Sequence, residues 1–258
     1  MKIAICISGA VRYPEFAVRS IENITKNYED LKLFIHTWKI YDREDFTTTI
    51  QGLELKEKQN IVETDLGIID QNQYKYETLL IEDYESKKHH FQKIYDCLDT
   101  NPFIPDTCIK PRHDIGYISM LYSIWKSNQL KKDYENENNI VFDRVIRMRF
   151  DSDFEGKELD LKKLPDCINI PKGEDWCGGV NDQFALGTSQ LMDIYSDLYN
   201  NLTNMGTIDY HPESILRDYL NSMQIELNRF PFNVIINNKK DFRRYWYGEH
   251  YSAETHVY

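Results

Sequence analysis

The sequence predicts an α/β fold in a single domain, with a mixed sheet flanked by helices. Apolar residues 2–7 stop at Ser8-Gly9, which is typical of a buried strand followed by a tight turn. Pro14 then opens a stretch with helical hydrophobic spacing, and residues 31–37 are again apolar. This order of strand, turn, helix and strand is a βαβ unit, so the first two strands are expected to run parallel.

Hydrophobic periodicity predicts the elements that follow this opening. Residues 40–82 have no clear period, so we expect loops with one or two minor strands there. The strongest helix pattern is 114–132, with Asp114 as a possible cap, and 141–150 is the key strand. The other predicted elements are helix 84–98, a proline-rich loop at 101–111, a polar connector at 135–139, strands 168–171 and 183–187, helices 189–201 and 211–223, and a late strand 224–228.

The composition excludes some classes of function. A chain of 258 residues that is 41% hydrophobic can build one substantial core, and its net charge of -11 argues against nucleic-acid binding and against purely electrostatic membrane attachment. No apolar run approaches the length of a transmembrane segment, and the N-terminal apolar run is too short for a signal peptide. The five cysteines are widely spaced, so we expect reduced thiols and a cytoplasmic location.

The first candidate motif follows the key strand, at 147–153. If the chain stays extended, Arg147, Arg149, Asp151 and Asp153 share one face. Two carboxylates one residue apart can hold Mn²⁺ or Mg²⁺, and the cation can hold a diphosphate, with the arginines close to the phosphates. The alternative is an Arg–Asp salt-bridge cluster. The βαβ opening and the motifs that follow favour the binding site.

A second motif at 176–187 combines a Gly-Gly turn with a run of polar side chains. Such a run at the edge of a strand suits hydrogen bonding to the hydroxyls of a sugar. Asp182 could act as a general base toward an acceptor hydroxyl. The residues assigned to substrate binding are Trp176, Gly179, Asn181 and Gln183. A Gly-Gly turn with an Asn or Asp cap accounts for the same segment equally well.

Other polar residues are expected at the carboxyl edge of the sheet, where open α/β sheets bind ligands. The residues assigned there to nucleotide binding are Ser8, Gly9, Arg12, His36 and Thr37.

A third motif, His211-Pro-Glu213, marks a helix start. A neutral imidazole at His211 could complete a metal shell, with His250 and His256 as rivals. The alternative for His211 is a helix cap.

Together these motifs resemble the GT-A superfamily of nucleotide-sugar-dependent glycosyltransferases, and more narrowly a group found in bacterial surface-polysaccharide clusters and in large viruses. The segments that carry the resemblance are 5–9 with Arg12, 34–38, 117–123, 145–151, 178–187 and 211–213. The resemblance implies a GT-A-like, Rossmann-type sheet in one domain. A nucleotide-binding half at about 1–153 would continue into an acceptor half and tail at about 154–258.

The resemblance also implies metal binding by Asp151 and Asp153, and it places Asp182 where an acceptor-side or catalytic carboxylate lies. The expected reaction moves a sugar from a nucleoside-diphosphate sugar to a glycan hydroxyl, with Mn²⁺ or Mg²⁺; the stereochemical outcome stays open. The expected partners are the donor and the glycan acceptor. The alternatives are a sugar nucleotidyltransferase, which would need a more glycine-rich and basic loop than 8–12, and a non-catalytic binding module.

Overall fold

The protein is an α/β domain built on a mixed sheet, as the sequence predicts. The computed structural model describes residues 1–11, 14–39, 46–50, 53–57, 75–100, 115–205, 207–208 and 211–236. Arg12, Asp114, His250 and His256 lie outside these ranges.

The helices of the described residues are α1 (Pro14–Thr25), α2 (Tyr84–Cys97), α3 (Gly116–Asn138), α4 (Ser189–Ser196), α5 (Leu198–Asn201) and α6 (Pro212–Ser222). The strands are β1 (Ile3–Ser8), β2 (Leu31–Trp38), β3 (Phe46–Ile50), β4 (Leu53–Glu57), β5 (Thr78–Glu82), β6 (Asp99–Thr100), β7 (Arg144–Met148), β8 (Ser152–Asp153), β9 (Ile168–Pro171), β10 (Ala185–Gly187), β11 (Thr207–Ile208), β12 (Leu227–Phe230) and β13 (Ile235–Ile236).

Seven of these strands form the main sheet, in the order β12-β9-β10-β7-β1-β2-β5. β1 pairs in parallel with both β2 and β7, and β2 pairs in parallel with β5. β10 runs antiparallel to β7 and to β9. At one end of the sheet, β5, β2, β1 and β7 lie side by side, and numbered by their order along the chain they have the order 3-2-1-4 of a Rossmann half. The chain adds β2 and β5 on one side of β1 and β7 on the other, so the strand order reverses between β1 and β7. The carboxyl ends of β1, β2 and β7 meet at this switch point.

Alternation along β1 explains why the sheet is covered on both faces. All six of its residues are buried, as expected for a parallel strand between two layers. Ala4 and Cys6 belong to the apolar cluster that includes α3, whereas Ile3, Ile5 and Ile7 pack in the cluster that includes α1. The strand thus joins two hydrophobic cores, one on each side.

Helix α3 runs beyond its predicted end at 132, and the polar connector predicted at 135–139 is wrong. The helix continues to Asn138 and stops at Asn139, which adopts the left-handed conformation common at helix ends. The extension is stabilised because Glu135 is buried and paired with Lys131, at 2.9 Å between Oε2 and Nζ. The other Glu135 oxygen accepts a hydrogen bond from the backbone amide of Phe142 at 2.8 Å.

The buried Lys131 ammonium joins α3 to α4. Its Nζ lies 2.6 Å from Ser189 Oγ and 2.8 Å from Asp193 Oδ1, in addition to the contact with Glu135. Asn128 also donates to Asp193, at 2.7 Å. A buried charge is tolerated when it is paired and hydrogen-bonded in this way.

Several predicted boundaries differ from the observed ones. The key strand is shorter than predicted, at 144–148, and the late strand is 227–230 rather than 224–228, because Gln224 has a φ of 55° in the preceding turn. The helix predicted at 189–201 is divided at Asp197 into α4 and α5. Within the poorly periodic region 40–82, β5 proves to be a strand of the main sheet.

The expectation of reduced thiols is wrong at one position. Cys177 is disulfide-bonded, whereas Cys6, Cys97 and Cys167 are free. The sequence contains no short Cys-x-x-Cys spacing that would have indicated such a bond. Among the described helices, none is long and apolar enough to cross a membrane.

Removing the buried ammonium tests its role in the fold. We expect Lys131→Met to lower the free energy of unfolding by about 3–5 kcal/mol, because the carboxylates of Glu135 and Asp193 lose their buried counter-charge. The matched control is Lys132→Met. The Lys132 ammonium is exposed and lies 3.7 Å from Asp193, so its loss should cost about 0–1 kcal/mol. Urea unfolding of both variants measures the difference, and equal losses would contradict the assignment.

Candidate functional site

A cavity of about 250 Å³ opens at the switch point between β1 and β7. The residues that line it come from the ends of β1, β2 and β7 and from the first turns of α3: Ser8, Gly9, Ala10, Trp38, Arg147, Arg149, Gly116, Tyr117, Ser119 and Met120. The predicted residues Ser8, Gly9, Arg147 and Arg149 therefore share one site. The lining residues of α3 were not predicted, although a strong helix pattern after a loop is a recognisable sequence feature.

The turn after β1 needs glycine for its backbone conformation. Gly9 has a φ of +108°, and a Cβ built there would meet nothing within 4 Å. Its amide donates to the carbonyl of His36 at 3.3 Å, and its carbonyl accepts from Thr37 Oγ1 at 2.9 Å. Thr37 thus supports the turn that lines the cavity and is not itself part of the lining.

His36 is buried in the core beside β5. Its Nε2 lies 3.0 Å from Glu82 Oε2, which also accepts from the Tyr122 hydroxyl at 2.7 Å. Burial lowers the pKa of His36, although Glu82 opposes that shift. The hydrogen bond from His36 is the main cause that lowers the pKa of Glu82 to about 2. The neutral imidazole therefore holds the end of β2 against β5. His36 does not line the cavity, and its predicted contact with a nucleotide stays a prediction.

Arg147 connects the first motif to the second. Its side chain is 2% exposed, lines the cavity and donates from Nη1 to the carbonyl oxygen of Asp182. Burial lowers the pKa of Arg147, and nearby Tyr195 and Asp182 oppose that shift. Its Nε and the Tyr195 hydroxyl are buried without a hydrogen-bond partner among the described residues. The sequence pattern did not single out Tyr195.

Asp151 does not continue an extended arginine face, so that prediction is wrong. The chain turns after β7: the amide of Ser152 donates to the carbonyl of Arg149 at 3.3 Å. This turn returns the Asp151 carboxylate to Arg149, whose Nε and Nη2 each donate to one of its oxygens at 2.8 Å. Burial by itself lowers the pKa of Arg149, but the charge and hydrogen bonds of Asp151 outweigh the effect of burial, so the pKa is raised. Arg149 and Asp151 therefore form a salt bridge, as the alternative interpretation of this motif predicts.

The predicted metal ligands do not form a cation site in the observed geometry. Both Asp151 oxygens accept from a guanidinium, and Asp153 Oδ1 accepts from the amide of Glu155 at 2.9 Å. The described ranges contain no group of three or more His, Cys, Asp or Glu side chains placed to hold a metal. His211 precedes α6 without a side-chain cap, and its Nε2 is buried with no partner in the part of the chain that is described. This donor set does not fit a divalent cation.

The second motif is a tightly bonded turn. Asn181 Oδ1 accepts from the amide of Gln183 at 2.8 Å, and its Nδ2 donates to the carbonyl of Gly173 at 3.1 Å. The Asn181 side chain therefore stabilises the turn, as the capping alternative describes. Gln183 is buried, whereas Trp176 is 52% exposed and donates from Nε1 to Glu174 at 3.1 Å.

Asp182 has a different environment from its neighbours in the turn. The residue is 8% exposed. Its carboxylate opposes the lowering of the Arg147 pKa by burial and contributes to the raised pKa of Arg149, after the larger effect of Asp151. No hydrogen bond or ion pair of this carboxylate involves another residue within the described ranges. A largely buried carboxylate beside two guanidinium groups can accept a hydrogen bond or a proton from a ligand hydroxyl.

The third motif packs directly against the second. A Cβ on Gly179 would lie 2.2 Å from the backbone carbon of Glu213, so glycine is required there by space. The amide of Val180 donates to the Glu213 carbonyl at 3.0 Å, and Arg217 Nη1 donates to the Gly178 carbonyl at 2.7 Å. Gly179 therefore docks the turn on the start of α6. Its predicted contact with a substrate stays a prediction.

Residues 116–253 match the family described as "Domain of unknown function (DUF7796)", over more than half of the chain. The chain belongs to this family. The DUF7796 match begins at the first residue of α3 and includes Arg147, Arg149 and Asp182, whereas β1 and its glycine turn precede it. No curated protein matches the chain in sequence. The family description carries no activity, so the function is argued from the site.

A methyl group at position 179 tests the docking of the turn on α6. We expect Gly179→Ala to destabilise the protein by about 3 kcal/mol, the upper end of an overpacking cost, because the obstacle is backbone rather than a movable side chain. Gly156→Ala is the control. A Cβ at Gly156 would meet no atom within 4 Å, so the only cost of this change is the backbone strain from its φ of +76°. That strain should cost about 1–2 kcal/mol. Thermal and urea unfolding measure both, and a tolerated Gly179→Ala would contradict the close packing.

Proposed function

We propose that the protein is a glycosyltransferase that moves a sugar from a nucleoside-diphosphate sugar to a hydroxyl of a glycan or glycoconjugate. The observation that carries the proposal is the cavity at the switch point, where two arginines and a glycine turn meet the start of α3. Open α/β sheets bind nucleotides at this position. The resemblance of the sequence motifs to GT-A transferases supports the same reaction.

The cavity has the chemistry of a phosphate site. Helix α3 is 23 residues long, and the partial positive charge at its N-terminus favours anions. Arg147 and Arg149 add two guanidinium groups to a protein whose net charge is -11. Guanidinium groups bind phosphate oxygens in pairs, which fixes orientation as well as charge. Guanidinium donors at a cavity in an acidic protein support an anionic ligand.

The size of the cavity supports the diphosphate as the part of the donor bound there. Its volume of about 250 Å³ is below the range of about 300–1,000 Å³ that is usual for pockets that hold a whole ligand. The diphosphate group would lie among the arginines, and the base and sugar would extend beyond these walls. The two guanidinium groups would then stabilise the charge that develops on the leaving diphosphate.

Asp182 supplies the acceptor side of the proposed reaction. Arg147, which lines the cavity, binds the backbone carbonyl of Asp182, although Asp182 itself is not among the lining residues. In an inverting reaction the Asp182 carboxylate would remove the proton from the acceptor hydroxyl as the new glycosidic bond forms. In a retaining reaction it would orient the sugar or stabilise a cationic transition state. The exposed Trp176 ring, at the start of the same turn, is a candidate surface for an acceptor sugar.

The proposed location is the cytoplasm, with possible attachment to a membrane surface. The disulfide at Cys177 is the observation that counts against it, because reducing compartments keep thiols reduced. The donor and a glycan acceptor are the proposed partners, and the net charge of -11 supports the expectation that nucleic acid is not one.

Nucleotide binding and turnover together test the proposed function. We expect one of UDP, GDP, CMP and dTDP to raise the melting temperature, and the matching nucleotide sugar to be hydrolysed or transferred. Asp182→Asn should keep the nucleotide-induced shift and lose about 10²–10⁴-fold in turnover, the usual contribution of a general base.

The control is Asp218→Asn, which changes an exposed carboxylate on α6 and should leave turnover unchanged. Binding without turnover in the wild type would favour the non-catalytic module. A failure of every nucleotide to shift the protein would contradict the donor site itself.

A further inference from the structure

We propose that Arg147 and Arg149 hold the bound diphosphate through their N–H donors without a divalent cation, and that Asp151 is a positioning residue for Arg149. The inference depends on the proposed function for the identity of the ligand. The ligand chemistry that it names, a diphosphate held by guanidinium groups, can be tested separately with inorganic pyrophosphate.

The pairing of Arg149 leaves one edge of its guanidinium available. Asp151 accepts from Nε and Nη2, which lie on one side of the planar group. A guanidinium carries five N–H donors, so the Nη1 edge keeps donors for a second partner. Arg149 lines the cavity, and Nη1 has no hydrogen-bond partner within the described ranges. Asp151 thus fixes the group on one side while the other side can receive a phosphate.

Arg147 provides the second, independent observation. The side chain is 98% buried and lines the cavity, and its Nη1 is held by the Asp182 carbonyl. Its Nε finds no hydrogen-bond partner in the described part of the chain. The buried Nε is closed to solvent, but no hydrogen bond within the described ranges uses the N–H groups of Nη2, so they remain for a ligand oxygen in the cavity. The start of α3 lines the same cavity and adds a further source of positive potential.

A cation at Asp151 is disfavoured by the chemistry of the donor set. Each Asp151 oxygen already accepts an N–H from Arg149, so a cation there would have to share the carboxylate with the guanidinium. The cation and Arg149 would then be like charges at close range. Asp182 and Glu213 act on Arg149 more weakly than Asp151 does. In the observed arrangement the positive charge at this carboxylate is the guanidinium itself.

The first experiment measures pyrophosphate binding in EDTA by isothermal titration calorimetry. Wild-type protein should bind under these conditions. Replacing both partners, in Arg149→Gln/Asp151→Asn, leaves the formal charge of the pair unchanged and keeps a neutral hydrogen-bonded pair. This double variant should weaken binding by at least about tenfold, the loss expected for a charge-assisted hydrogen bond.

The control is the double variant Arg144→Gln/Asp166→Asn. It removes another Arg–Asp pair, whose arginine lies at the opposite end of the same strand, β7. This variant should bind pyrophosphate as the wild type does. If both double variants lose affinity equally, the effect is a loss of structure and the assignment to the cavity is overturned.

Asp151→Asn separates positioning from simple electrostatics. It removes a negative charge beside the ligand, so electrostatics alone would strengthen anion binding. A positioning role predicts weaker binding in EDTA, measured at a temperature where the variant stays folded, and stronger binding would overturn it. If a nucleotide binds only with Mn²⁺ and this binding is lost in Asp153→Asn, the inference fails and the proposed function stands. If neither pyrophosphate nor any nucleotide binds, both fail.

Discussion

The buried ion pair network around Lys131 is the interaction on which the rest of the structure depends. It joins the carboxyl-terminal part of α3 to α4 and to the backbone that leads into β7. The first turns of the same helix, more than ten residues away, line the cavity between β1 and β7. Because a helix is stiff over this length, fixing one end also fixes where the other end points. The network therefore positions the wall of the candidate site.

A second set of contacts brings the three sequence motifs together. Arg147 binds the backbone of Asp182, and the glycine turn before Asp182 packs on the first residues of α6. These contacts use backbone groups and small residues, so they set geometry without using the Asp182 carboxylate. The site thus has one wall with guanidinium donors, built at the switch point, and one carboxylate carried by a rigid turn. This division suits a reaction that binds an anionic leaving group and activates a neutral hydroxyl.

The sequence predicted the α/β class, most helices and the convergence of Ser8, Gly9, Arg147 and Arg149, because strand ends and hydrophobic periods are local features. It did not predict the partners of those side chains. The extension of α3 depends on Glu135, whose carboxylate accepts from Ser189 as well as from Lys131. The Asp151 pairing depends on a turn that the Asp-Ser-Asp spacing does not reveal. β5 lies in a region predicted to hold loops with one or two minor strands, and its place in the main sheet was missed because its neighbour β2 is distant in sequence. Non-local contacts decided the length of α3 and the place of β5, whereas a local turn decided the Asp151 pairing.

Hydrogen–deuterium exchange with the nucleotide that stabilises the protein tests the central claim most directly, because it locates the bound diphosphate without assuming any residue's role. The account predicts slower amide exchange in peptides that contain Gly9, Ala10 and the first turn of α3, which line the cavity. Peptides from α2 and β12, which contribute no residue to the lining, should be unchanged. Slower exchange in α2 or β12 only, with no change in the peptides at the switch point, would contradict the account.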